Sequence, residues 1–94
     1  MYFFVYHVKP SPKMKNAANI AGAYVSCWIE AASITIAEKV AEKKIELTDW
    51  QIIELDESFE IGEDHYSKDS ESFQFYKQAL IDKWVLRFHT YPFE

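Results

Sequence analysis

Residues 21–56 read AGAYVSCWIEAASITIAEKVAEKKIELTDWQIIELD, and the fold turns on how this stretch is divided. Its ends carry a period of two. Tyr24, Ser26 and Trp28 alternate with Val25, Cys27 and Ile29. A strand here has one apolar face and one aromatic face bearing a hydroxyl. Residues 50–55, WQIIEL, alternate more loosely, yet their β-branched and aromatic side chains favour a strand. Between the two the period changes. Ile36, Ala37, Val40, Ala41 and Ile45 recur at three and four residues, the stripe of an amphipathic helix, with Glu38, Lys39, Glu42 and Lys43 on the other side. Thr35 and Glu38 match a capping box, and Ser33 is a rival N-cap. The competing division is one long helix over 16–44. Tyr24, Val25, Trp28 and Ile29 would leave it no clean polar face, so strand–helix–strand is the better reading.

Working outward, residues 2–8 read YFFVYHV and are apolar or aromatic on both faces, as in a strand covered on both sides. Pro10 and Pro12 end it and open a loop over 9–19 with Lys9, Lys13 and Lys15. That loop reads as solvated. On the other side, Phe59, Glu60 and Ile61 read as a short hairpin partner of the Trp50 strand, turning near Asp56, Glu57 and Ser58. Residues 54–71 hold eight carboxylates against Lys68, the pattern of a solvated loop or face. A second helix is expected over 72–82, with Phe73, Tyr76 and Leu80 on one face and Ala79 beside them. Asp69 or Ser70 would cap it, and Glu71 suits its positive end. The last strand is expected over 84–91, with Trp84, Leu86 and Phe88 on one face and Val85, Arg87, His89 and Tyr91 on the other.

Ninety-four residues make one domain, spanning 1–94. Such a chain buries roughly two thirds of its unfolded surface, enough for one core without staples. Seven Phe, six Tyr and three Trp make that core aromatic. A net charge of −5 with no basic stripe argues against nucleic-acid binding, which displaces counterions with a basic face. The apolar N-terminus is too short to span a bilayer and has neither a basic region nor a cleavage site, so a cytoplasmic protein is expected. A single cysteine, Cys27, fits a reducing compartment.

AGAYVSCWI, the helix-to-strand entry at Trp50 and QALIDKWVLRFHTYP resemble segments of a small bacterial α+β domain family of unassigned function. The resemblance implies a compact cytosolic domain. It brings no catalytic signature, so no functional residue follows from it.

The element order predicts an α+β two-layer sandwich. Without the N-terminal strand it is β-α-β-β-α-β, the ferredoxin-like order, with both helices on one face of a mainly antiparallel sheet. Val25, Cys27 and Ile29 would face the helices with Ile53, Leu55, Leu86 and Phe88. Tyr24, Ser26, Trp28, Ile52, Glu54, Arg87 and His89 would lie on the other face, although a one-residue slip in the Trp50 strand exchanges Ile52 and Ile53. So large an apolar face needs a cover, and a second copy is the simplest, so a homodimer packed sheet on sheet is expected.

The leading functional reading is a non-enzymatic homodimeric interaction or ligand-binding domain. Its ligand or dimer face would hold Tyr24, Ser26, Trp28, Arg87 and His89. The alternative is a small-substrate enzyme with a pocket at that face, in which Arg87 and Glu54 accompany His89 as general base. No nucleophile or glycine-rich loop joins them, and an ion pair beside a satisfied histidine explains the same residues. His7, His65 and His89, with Glu63 and Asp64, match no metal-ligand spacing, so no metal is expected. No cofactor is expected either. Cys27, on the core face, reads as a small buried hydrophobe, and Ser26 as a polar spacer.

Overall fold

The computed structural model describes residues 1–14, 18–67 and 70–93. Its elements are β1 (Tyr2–Pro10), β2 (Gly22–Ile29), α1 (Ile34–Glu46), β3 (Trp50–Glu60), a short 3-10 turn (Glu63–His65), α2 (Glu71–Asp82) and β4 (Trp84–Tyr91). They form a small α+β domain, a four-stranded antiparallel sheet with two helices. No helix among the described residues is long and apolar enough to cross a membrane.

The strands lie in the order β3-β1-β2-β4, each antiparallel to its neighbour. Three expectations are thereby corrected. β1 is no addition to a ferredoxin-like sheet but one of its two central strands. This accounts for its apolar character on both faces. The Trp50 strand does not turn back at 56–58. It runs unbroken to Glu60, so Phe59 pairs with Phe3 on β1 instead of returning onto its own strand. Nor do the helices share a face. Ala37, Ala41 and Ile45 of α1 pack on Phe4, Tyr6, Val8, Val25, Cys27 and Ile29. Phe73, Tyr76 and Ala79 of α2 pack with Trp28, against Phe3 and Val85. Cys27 and Trp28 are consecutive in a strand, and so are Phe3 and Phe4, so these clusters lie on opposite faces. The sheet is a middle layer between two helices, and the two-layer sandwich is not formed.

Local chemistry sets the element boundaries. Ser33, not the Thr35 capping box, caps α1, its Oγ accepting the Ile36 N–H at 3.3 Å. Ser70 caps α2 through the Phe73 N–H at 3.1 Å. The rival cap Asp69 lies outside the described residues, as do Lys15 and Lys68. Both helix-to-strand turns end on a left-handed residue just before a tryptophan: Asp49 (φ 65°) before Trp50 and Lys83 (φ 75°) before Trp84. Leu80, expected on the packed stripe of α2, points to solvent, and Ala79 takes its place.

The looseness of β3 has a physical cause. Its register against β1 shifts twice, between Val5 and Tyr6 and between His7 and Val8. Asp56 and Ile53 are thus the extra residues of two bulges. Each bulge restores the parity that the other would break. Leu55 therefore sits opposite Tyr6, as expected on the α1 side, while Ile52 and not Ile53 joins that core and Ile53 is exposed.

Candidate functional site

The candidate site is the α2 side of the sheet. Successive cross-strand partners define its rows. Phe59, Phe3, Trp28 and Val85 make one row; Glu57, Val5, Ser26 and Arg87 the next; Glu54, His7, Tyr24 and His89 the third. Helix α2 and residues 61–67 cover the first row. Trp28 is 3% exposed, makes edge contact with Phe3 at 5.1 Å, lies 5.2 Å from Phe75 and donates its indole N–H to Tyr66 Oη at 2.9 Å. The chain itself supplies there the cover expected of a partner.

The third row stays open, and it is organised by a glycine. Gly22 pairs with Tyr91, and its missing side chain lets the Tyr91 ring lie across the strand. A methyl group at Gly22 would fall on Tyr91 Oη and come within 2.8 Å of the Val8 carbonyl oxygen. From this position Tyr91 Oη reaches His7 Nε2 at 2.5 Å, two strands away. His7 in turn stacks on Tyr24, with ring centroids 4.6 Å apart and planes 13° from parallel. Tyr24 lies 5.9 Å from Tyr91, closing a three-ring cluster. His89 is the cross-strand neighbour of Tyr24 on the outer strand and is exposed. Tyr24 remains 41% exposed, so the cluster presents polar ring edges to solvent on a fixed frame.

A Gly22→Ala substitution tests this construction. The Val8 carbonyl is backbone and cannot swing away as a side chain would. The expected result is a loss of roughly 1–3 kcal/mol in urea unfolding, as for overpacking elsewhere. The His7 ring resonances should shift as Tyr91 is displaced.

The remaining expected site residues are dispersed. Ser26 is half-buried in the middle row. Arg87 pairs with Glu71 at the start of α2 and sets its guanidinium 5.1 Å from the Phe75 ring centroid. An exposed pair of this kind contributes about 0–1 kcal/mol. Its effect is to hold Arg87 toward α2. Glu54 is on the far edge strand, three inter-strand steps from His89, roughly 14 Å away at about 4.8 Å per step. The structure brings His89 beside Tyr24 but does not bring Glu54 to either Arg87 or His89. Among the described residues no cluster of three His, Cys, Asp or Glu side chains could hold a metal ion.

His7 and Tyr91 are the members of the cluster that the sequence reading left out of the site. The available signal was Gly22 opening a strand whose antiparallel partner brings in a tyrosine. It becomes legible only once β2 and β4 are known to pair.

Elsewhere among the described residues there are clefts. One, of about 300 Å³, lies between Ser11, Pro12, Lys13, Glu46, Asp49, Trp50 and Gln51. Another, of about 370 Å³, runs along the outer surface of α1 at Lys39, Glu42, Lys43, Glu46 and Leu47. Neither touches the open row. In the core, Tyr6 donates its hydroxyl to Glu42 Oε2 at 3.1 Å, and Cys27 is fully buried. Burial above all, then the nearby Glu42 carboxylate, pushes the Tyr6 phenol up in pKa, and burial pushes up the Cys27 thiol.

Comparison of the chain with family models, curated proteins and solved structures found no match.

Proposed function

We propose that this chain is a small binding domain without catalytic activity, acting through the open row of its sheet face. The observation that carries the reading is the preorganised cluster of His7, Tyr24 and Tyr91, with His89 beside it. Rings locked by stacking and a hydrogen bond lose little entropy when a partner arrives, and tyrosine combines apolar area with a polar tip. On the same face the arginine is engaged by Glu71. A cytoplasmic location and a homodimeric state belong to this proposal. The buried thiol of Cys27 suits a reducing compartment.

A fragment screen by heteronuclear NMR tests it. Phenol- and carboxylate-bearing fragments should shift the amides of residues 7, 24, 89 and 91, and His7→Ala should remove those shifts. Fragments that gather only in the Trp50 cleft, or nowhere on the sheet face, would refute the reading.

A further inference from the structure

We propose that the outer edge of β4 is a self-association surface, on which two copies pair β4 to β4 in an antiparallel, two-fold arrangement. The inference stands independently of any ligand on the open row.

The two edges of the sheet are built differently. β3 carries two bulges, and Glu54, Asp56, Glu57 and Glu60 stand along it. Bulges and charges are the usual means of keeping an edge from pairing with another chain. β4 has neither bulge nor internal proline. All eight of its residues keep one unbroken register with β2. Its side chains face both helix layers, yet none is fully buried. Leu86 and Phe88 are half-buried where their β2 partners Cys27 and Val25 are wholly covered. The exposure comes from the edge.

The occupant is argued from what stands at the two ends of that edge. Just before β4, at the end of α2, Leu80 and Ile81 (73% exposed) stand in solvent, and Trp84 opens the strand 38% exposed. Just past its end stands Phe93, 66% exposed. A two-fold axis normal to the sheet at the middle of β4 brings the Trp84 end of one copy beside the Phe93 end of the other. It does so twice. The contact is isologous, each copy giving and receiving the same pair. A second copy satisfies the backbone edge and also covers the exposed apolar residues at both of its ends, so it is the occupant that fits.

The test uses the full chain in analytical ultracentrifugation at micromolar concentration. The expected wild-type particle has twice the chain mass. The double variant Ile81→Glu, Phe93→Glu changes exposed residues only and should be monomeric with an unaltered circular dichroism spectrum. Tyr24→Ala, on the open row, should remain dimeric. Hydrogen exchange gives a second reading: amides of β4 should gain protection as concentration rises, while those of β3 stay unchanged. A monomeric wild type, a dimer that survives the double variant, or a dimer lost in Tyr24→Ala would each overturn the proposal.

Discussion

Trp28→Ala should cost about 3–5 kcal/mol, the range for removing a large buried aromatic side chain. Domains of this size hold roughly 5–15 kcal/mol in total, so the variant should keep only a fraction of its stability. Urea unfolding followed by circular dichroism measures it as a midpoint shift with little change in slope. The reason is position. Trp28 joins the sheet to α2 and to the segment before it, touching Phe3 and Phe75 and holding the Tyr66 hydroxyl. Removing the indole leaves a cavity between layers and takes away the hydrogen-bond donor to Tyr66. Trp84→Ala is the internal control. Trp84 is 38% exposed and has Lys44 Nζ 4.5 Å from its ring centroid. A contact of that kind is worth about 0.5–1 kcal/mol at an exposed site, so the second truncation should cost far less. Equal losses at the two positions would contradict the described packing.

The second large effect is alkaline unfolding. The Cys27 thiol and the Tyr6 phenol both ionise by losing a proton, and both are raised in the folded state from reference values of 9.0 and 10.0. Above those values the unfolded chain has released protons that the folded chain still holds. Unfolding then releases protons, so stability is complete below about pH 9 and falls as pH rises. Each group contributes a slope of about 1.4 kcal/mol per pH unit. Cys27 acts first and Tyr6 joins from pH 10 upward. Above pH 10 the two slopes add, so stability falls faster there. Tyr66 and Tyr76 are shifted the same way, chiefly by burial, and steepen the upper part. Chemical denaturation at a series of pH values reads the curve. Tyr6→Phe should flatten it above pH 10, and Cys27→Ala should remove the limb between pH 9 and 10. A stability that holds constant from pH 8 to 12 would refute the burial of both groups.

Much of this arrangement could be read from the chain, and the parts that could not have definite causes. Alternation located β2 and β4 and assigned the two faces of β4, because neither strand contains a bulge. Periodicity located both helices, and serines cap both. The two-sided apolar character of residues 2–8 marked a strand covered on both faces, but the sequence does not say where that strand lies in the sheet or what covers each side. The face chosen by α2 depends on which strand edge it crosses, and its own stripe of Phe73, Tyr76 and Ala79 is silent on that. β3 misled because its two compensating bulges put Ile52 and Ile53 out of step with a simple alternation. The His7, Tyr24 and Tyr91 cluster was hidden for a related reason. Its members come from three strands, with residues 7 and 91 at nearly opposite ends of the chain, and only the sheet order brings them together.

The unequal edges also bear on how many copies can join. A sheet that can pair along both edges adds subunits without limit and ends as a fibre. With β3 kinked at Asp56 and Ile53 and lined by carboxylates, this sheet can extend in one direction only. In the proposed β4 pairing that direction is consumed in both partners at once, so assembly would stop at two. The bulges that blurred the sequence pattern of β3 would then set a ceiling on stoichiometry, and straightening them would be the shortest route from a closed pair to a filament.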